Sequence, residues 1–105
     1  GILSTIYVES YNKKSINNLI DELKKFYKNR RFVKIHKVNK LLSTNDVINT
    51  NNCHISICKT KYKNRYIIFS IIDNLIKGGA GQAVQNMNLK FNFNETKGLV
   101  WKNLS

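Results

Sequence analysis

The run of residues from 65 to 72 constrains the fold of this chain more than any other segment. It reads Arg-Tyr-Ile-Ile-Phe-Ser-Ile-Ile, so apolar and β-branched side chains occupy nearly every position. A strand of this kind usually lies between two other strands, because both of its faces are shielded from water. We therefore predict that 65–72 is a central, buried strand of a sheet.

Residues 53–59 are the predicted partner of this strand. Their side chains alternate between two faces, and the stretch 61–64 that follows has the composition of a turn. Two apolar runs separated by a short polar turn are typical of an antiparallel hairpin. We expect 53–59 and 65–72 to pair in this way.

Two more segments are predicted to be strands. Residues 2–8 have no strongly polar face, which indicates an interior strand. Residues 32–38 form a short strand pattern with alternate apolar side chains facing in. The polar residues 39–52 between these strands and the hairpin are predicted to form a loop, with a brief edge strand near positions 47 and 48.

Two segments have the apolar spacing of helices. Residues 15–28 begin with Ser15, a good N-cap residue, and a second helix is predicted from about Gly81 to Leu89. Together with the strands they predict an α+β domain, an antiparallel or mixed sheet with helices packed on it. The predicted core-facing residues are, in the first helix, Ile16, Leu19, Ile20, Leu23, Phe26 and Tyr27 and, in the second, Ala80, Ala83, Val84, Met87 and Phe91.

The net charge of +12, from 18 basic and 6 acidic residues, raises the question of a nucleic-acid partner. Lys, Asn and Ile make up about two fifths of the chain, while Arg is scarce and Pro is absent, as an AT-rich genome would produce. The lysines are also scattered rather than grouped. We therefore favour codon bias over nucleic-acid binding, and we keep a basic nucleic-acid-binding module as the alternative from a different class.

The ends and the hydropathy of the chain give three further expectations. No apolar run reaches the roughly 18 residues of a membrane-spanning helix. The first residues have neither the basic region nor the cleavage site of a secretory signal. The chain starts abruptly inside a predicted strand, so we expect it to be a piece of a longer protein.

The cysteines and histidines form no catalytic or metal-binding pattern. Cys53 and Cys58 lie in one predicted strand, roughly 17 Å apart, which is too far for a disulfide and fits a reducing compartment. Cys53 and His54 are neighbours, so their side chains point to opposite faces and do not form a dyad. His36 shares the polar face of its strand with Lys34 and is predicted to face solvent. The spacing of these residues predicts no zinc site.

The segment 73–91 carries the most chemical information. Gly78, Gly79 and Gly81 lie between a buried strand and a helix start, where backbone N–H groups can hold an anion and Lys77 can add a charge. The spacing matches neither a Walker A sequence nor GxGxxG, so a tight packing turn is an equal alternative.

Three amide side chains follow the glycines. Gln82, Gln85 and Asn86 are predicted to gather on one side of the second helix, and Gln82 and Asn86 are separated by one helical turn. Such a group suits a substrate amide, a carboxamide or a neighbouring domain. Simple exposure to solvent is the alternative.

The run Asp73-Asn74-Leu75-Ile76-Lys77-Gly78-Gly79-Ala80-Gly81-Gln82-Ala83-Val84-Gln85-Asn86-Met87-Asn88-Leu89 closely resembles the signature near the end of the N-acetyl-gamma-glutamyl-phosphate reductases. The segments 1–7 and 94–99 resemble other parts of that family in the expected order, so the resemblance covers roughly residues 1–100. Three departures are Gly79 in place of Ala, Asn92-Phe93 in place of Gly-Leu, and Leu42 where proline is common.

The resemblance implies an enzyme of arginine biosynthesis that reduces N-acetyl-glutamyl phosphate, a small acyl-phosphate substrate, to the semialdehyde with NADPH. The full enzyme would be cytoplasmic and homo-oligomeric, with a Rossmann domain followed by an α+β catalytic and dimerisation domain. The family's nucleotide motif, its nucleophilic cysteine and its histidine-rich segment match nothing in this chain. Residues 1–105 are thus expected to be the later part of the second domain, inactive alone.

The resemblance also gives a candidate site that would border the NADP cofactor. No catalytic residue and no metal ligand is assigned, and Cys53 and Cys58 do not inherit the nucleophile's role. A related reductase of lysine biosynthesis, acting on an aminoadipyl phosphate, stays open as an alternative. The candidate cofactor-binding residues are Lys77, Gly78, Gly79, Gly81, Gln82 and Asn86.

Overall fold

The structure, a computed structural model, describes residues 1–10 and 15–100 as a four-stranded sheet with two α-helices. A 3₁₀ turn (Thr44–Asp46) and a π-helical turn (Ile76–Ala80) lie in the connections. The predicted α+β class is confirmed. The elements are β1 (Ile2–Glu9), α1 (Ile16–Phe26), β2 (Val33–Ile35), β3 (Cys53–Lys59), β4 (Arg65–Ile72) and α2 (Gly81–Lys90).

The sheet is mixed, with the strand order β1-β4-β3-β2. The predicted hairpin is confirmed, since β3 and β4 pair antiparallel from Cys53 opposite Ile72 to Lys59 opposite Tyr66. β2 pairs with the other side of β3 in parallel. β4 therefore has a strand on each side, as its apolar sequence predicts, although most of its side chains are only half-buried.

The prediction that the first strand is interior was wrong. β1 pairs with β4 alone and forms one edge of the sheet. Leu3 and Tyr7 on one face of β1, and Ile2 and Ile6 on the other, are exposed large apolar side chains. A lack of polar residues shows that a strand has two apolar faces, but it does not show what covers them.

Two predictions for residues 32–52 need correction. The strand predicted over 32–38 has only the three residues of β2, because the chain leaves the sheet after Ile35. The edge strand predicted near positions 47 and 48 is absent, and a 3₁₀ turn with a capping box at Ser43 and Asp46 stands directly before it. Val47 is 0% exposed, so this polar loop is anchored by an apolar side chain.

The helix α1 packs on one face of the sheet. Ser15 caps it as predicted, with its side-chain oxygen accepting a hydrogen bond from the Asn18 N–H at 3.2 Å. Ile16 and Ile20 form the buried core cluster with Ile57 of β3 and Tyr66 of β4. Phe26, predicted to be in the core, is exposed and contacts Tyr27 instead.

The helix α2 begins at Gly81, as predicted, but it buries a different face. Its buried residues are Gly81, Gln85 and Asn88. Met87 and Phe91, predicted to face the core, are exposed. The helix therefore turns polar side chains toward the rest of the described chain and apolar ones outward.

Replacing Ile57 by Ala should destabilise the domain by about 2–5 kcal/mol, because Ile57 is 1% exposed and the change leaves a cavity under α1. Urea unfolding followed by circular dichroism measures this loss. Ile48→Ala is the matched control, since Ile48 is 55% exposed and its truncation should cost within about 0.5 kcal/mol. Equal losses in both variants would contradict the placement of the core.

Candidate functional site

Asp73 fixes the chain as it leaves β4. Its carboxylate accepts hydrogen bonds from the backbone N–H groups of Asn49 at 2.8 Å and Leu75 at 3.0 Å. Its carbonyl oxygen accepts from the N–H groups of Ile76 at 3.2 Å and Lys77 at 2.8 Å. The start of the candidate segment is thus held to both the sheet and the 39–52 loop.

The glycine cluster lies in a π-helical turn that continues directly into α2. Positive φ angles are not the reason for these glycines, because the positive-φ glycine of the described residues is Gly98. Gly81 is needed for close packing: a Cβ there would lie 2.5 Å from Asn51 Oδ1 and 2.5 Å from the carbonyl oxygen of Ile76. The Gly81 N–H also donates to that carbonyl, so the start of α2 is not a free end for an anion.

Gln85 is the centre of a buried polar cluster. Its Oε1 accepts hydrogen bonds from Lys77 Nζ at 2.6 Å and from Asn51 Nδ2 at 3.0 Å. Its Nε2 donates to the Glu95 carboxylate at 2.7 Å. One amide thus joins the π-helical turn, the loop before β3 and the turn that follows α2.

Lys77 is held inside this cluster. It is half-buried, and its ammonium group also lies 5.2 Å from the centre of the Phe32 ring. Burial lowers the pKa of Lys77 below its ordinary value, while the nearby Cys53 and Glu95 act in the opposite direction. Its amine is engaged with a protein partner and does not extend into solvent.

The other candidate residues divide into an exposed group and a buried one. Gly78, Gly79 and Asn86 are exposed and Gln82 is partly exposed, whereas Gly81 is buried. Gln82 Nε2 donates to Asn86 Oδ1 at 2.9 Å, as the spacing of one helical turn predicts. Gln85 does not join them. The predicted group of three amides is therefore a surface pair and a separate buried residue.

The end of the described chain supports α2 through another buried amide. Asn88 Nδ2 donates to the carbonyl oxygens of Glu95 at 3.1 Å and Lys97 at 3.0 Å. The predicted turn at 95–98 is present, and Gly98 has a φ of 75°. The turn thus places the Glu95 carboxylate within hydrogen-bond distance of Gln85.

The two histidines form a pair that the sequence analysis missed. His36, predicted to face solvent, is partly buried, and its Nε2 lies 2.8 Å from Nδ1 of His54. Ile35 and Ile55 are opposite each other in the parallel pairing of β2 with β3. His36 follows Ile35 and His54 precedes Ile55, so the two histidines lie close together. A prediction of this pairing would therefore have predicted the histidine pair. Cys53 and Cys58 are free thiols, and Cys53 Sγ lies 3.3 Å from Ser70 Oγ.

No group of three or more His, Cys, Asp or Glu side chains within 1–10 and 15–100 is placed to bind a metal ion. In the same residues, no helix combines the length and the apolar character that crossing a membrane requires.

Comparison with known proteins places this geometry in a family. A family model described as "Semialdehyde dehydrogenase, dimerisation domain" matches residues 1–74. The chain belongs to this family. The match includes all four strands and α1, and it ends just after Asp73, where the candidate segment begins.

Relatives of this semialdehyde dehydrogenase domain extend the similarity through the candidate segment. Proteins named N-acetyl-gamma-glutamyl-phosphate reductase from Clostridium botulinum strain Eklund 17B and Caldicellulosiruptor saccharolyticus are 44% and 47% identical, over 94% and 95% of this chain. A protein of the same name from Karelsulcia muelleri is 49% identical over 99% of it. The chain covers only 29%, 29% and 30% of these three relatives.

Gly81→Ala should destabilise this semialdehyde dehydrogenase domain by about 1–3 kcal/mol, because the added methyl group overpacks the contact with Asn51 and Ile76. Thermal unfolding measures the effect. Gly79→Ala is the comparison, since its nearest atom would be 3.3 Å away, and its loss should be smaller. A Gly81→Ala variant as stable as the wild type would show that the close approach is not required.

Proposed function

We propose that this chain is part of an NADP-dependent reductase that converts N-acetyl-glutamyl phosphate to N-acetyl-glutamate semialdehyde. The observation that carries the proposal is the identity of 44–49% to reductases of that name over nearly the whole chain, including residues 73–89. The reaction replaces the phosphate of the acyl phosphate by a hydride from NADPH. We place the complete enzyme in the cytoplasm, in arginine biosynthesis.

The chain's own residues would contribute to cofactor binding rather than to bond breaking. The surface amides of Gln82 and Asn86 carry donors and acceptors that can pair with a carboxamide such as that of nicotinamide, and Gly78 and Gly79 present exposed backbone beside them. When bound, NADPH supplies the hydride. Lys77 is less suited to binding the cofactor, since its amine already donates a hydrogen bond to Gln85.

The cysteines of this chain do not fit the role of nucleophile. Cys58 is buried, and Cys53 is half-buried beside Ser70. A covalent mechanism needs a thiolate with a base in hydrogen-bond reach. We therefore assign the nucleophile to the part of the reductase outside this chain.

A chimera tests the proposed activity. The matching segment of the Clostridium botulinum relative is replaced by residues 1–100 of this chain, and phosphate-dependent reduction of NADP by N-acetyl-glutamate semialdehyde is assayed. We expect turnover from the chimera and none from the 105-residue chain alone. A folded chimera without turnover, or an active isolated chain, would contradict the proposal.

Asn86→Ala in this chimera should lower kcat/KM by about 5- to 150-fold, the equivalent of one lost positioning hydrogen bond of about 1–3 kcal/mol. Asn17→Ala, an exposed asparagine of α1, is the matched control and should leave kcat/KM unchanged. Equal kinetics for both variants would remove Asn86 from the site.

We also propose that a second copy of the enzyme covers the sheet face opposite α1. On that face Leu3 and Tyr7 of β1 lie beside Ile71 and Ile67 of β4, and both β1 side chains are exposed. The match to a dimerisation domain supports a partner of the same kind. An exposed apolar face of this type is unusual for a monomer.

Tyr7→Asp should convert a dimer of the chimera to a monomer, because it puts a charge on the exposed apolar part of this face, at β1. Tyr7 is 77% exposed, so the fold itself should persist. Sedimentation velocity measures the oligomeric state. Phe26→Asp, at the end of α1 on the opposite side of the sheet, is the control that should remain a dimer, since Phe26 is 75% exposed. An unchanged Tyr7→Asp dimer would place the interface elsewhere.

A further inference from the structure

A segment that we call the strap (residues 36–50) covers part of the sheet face opposite α1. Besides the contact between His36 and His54, four hydrogen bonds tie it to β3. In two of them, strap N–H groups donate to β3 carbonyls: His36 to Ile55 and Asn39 to Ile57, both at 2.9 Å. In the other two, β3 donates to the strap: Ser56 Oγ to the Lys40 carbonyl at 2.6 Å, and the Lys59 N–H to Asn39 Oδ1 at 2.9 Å.

Under the strap lie residues that are polar or reactive. His54, Ser56 and Cys58 share one face of β3 by strand alternation, and all three are buried. The Ser56 hydroxyl bonds to the strap itself. The strap therefore contacts His54 and Ser56 on this face, whereas the β1 residues of the same face, Leu3 and Tyr7, are exposed.

The histidine pair is the side-chain contact at the start of the strap. His36 Nε2 and His54 Nδ1 are 2.8 Å apart, and the ring centres are 4.7 Å apart. His54 is 7% exposed, and its other nitrogen, Nε2, is buried without a hydrogen-bond partner among the described residues. Water therefore has little access to the His54 ring of the pair.

The hydrogen bond needs one donor and one acceptor nitrogen. A neutral imidazole supplies one of each, so the pair can bond when neutral, and also when one ring is protonated on its outer nitrogen. If both rings are protonated, two N–H groups face each other at bonding distance. The bond is then lost, and two positive charges repel in a poorly solvated place.

We propose that the His36–His54 hydrogen bond is a proton-sensitive clasp that holds the strap on β3 at neutral pH and releases it in acid. Release uncovers His54 and Ser56, the residues of β3 that the strap contacts through their side chains. The clasp is a property of this chain's own residues and does not depend on the proposed reductase activity.

The surrounding charges act on the clasp in both directions. Burial is the largest cause that lowers the pKa of each histidine. For His36, Asp46 of the 3₁₀ turn raises the pKa, while Lys40 of the strap and Lys34 of β2 lower it. For His54, the charges of His36 and Lys34 lower the pKa further, and Asp46 raises it. Protonation is therefore harder with the strap closed than with it open.

The direction of the pH dependence follows from this difference. A histidine whose pKa is lowered in the closed state stabilises that state above its ordinary pKa of 6.5, and the stability is lost as pH falls below that value. If the pKa of a histidine is about one unit lower in the closed state than in the open state, the equilibrium constant for closing falls about tenfold at low pH.

Hydrogen exchange measured between pH 7.5 and 5 tests the clasp. After correction for the intrinsic exchange rate, the protection factors of the His36 and Asn39 amides should fall below pH 6.5, while those of the β4 amides stay constant. Constant protection of the strap, or an equal fall in every strand, would overturn the proposal.

The variant His36→Gln provides the matched test. A glutamine amide does not titrate and can rotate to accept from a protonated His54, which removes the repulsion between two charged rings. Because His54 is still buried, the strap should lose some protection in acid, but less than in the wild type. Lys37→Gln, at the next, exposed position, keeps the pair and should behave as the wild type. Acid release in His36→Gln equal to that in the wild type would show that the histidine pair is not the clasp.

Discussion

The antiparallel pairing of β3 with β4 is the interaction on which the rest of the structure depends. Seven residue pairs join the two strands, and they fix which side chains share a face. β1 and β2 attach to the free sides of this hairpin, and α1 packs on the face that contains Ile57 and Tyr66. A shift of one residue would move Ile57 to the opposite face and turn its neighbours Ser56 and Cys58 toward the helix.

The same pairing determines where the candidate site begins. Asp73 follows the last residue of β4 and receives the backbone N–H of Asn49 from the strap, so the turn into α2 leaves the sheet at a fixed place. From there, buried amides set the orientation of α2. Gln85 bonds to Lys77, Asn51 and Glu95, and the Asn88 Nδ2 donates to two backbone carbonyls. The side-chain oxygens of Asn51 and Asn88 are buried and accept no hydrogen bond from the described residues.

This polar interior explains why the apolar side of α2 faces outward. An exposed row that includes Met87 and Phe91 is costly unless another surface covers it. The relatives are more than three times as long as the chain, which covers 29% of the Clostridium botulinum reductase. A helix with a buried polar face and an exposed apolar face fits an element that contacts the rest of a larger protein.

Local patterns made much of the fold predictable. The alternation in 53–59, the apolar run 65–72 and the Ser15 cap each depend on neighbours in sequence, and all three appear in the structure. The start of α2 at Gly81 was predictable for the same reason. The surface pair Gln82–Asn86 follows from helical spacing alone.

Side-chain periodicity and a long specific run of residues made the β3–β4 hairpin, both helices and the family predictable, but not the short β2 or the missing edge strand near 47 and 48. Which faces are covered followed from the three-dimensional arrangement alone. It put β1 at an edge, turned Gln85 inward and brought His36 to His54, which are 18 positions apart. Burial and hydrogen bonding between distant segments depend on where each element comes to lie, and periodicity within one element does not contain that information.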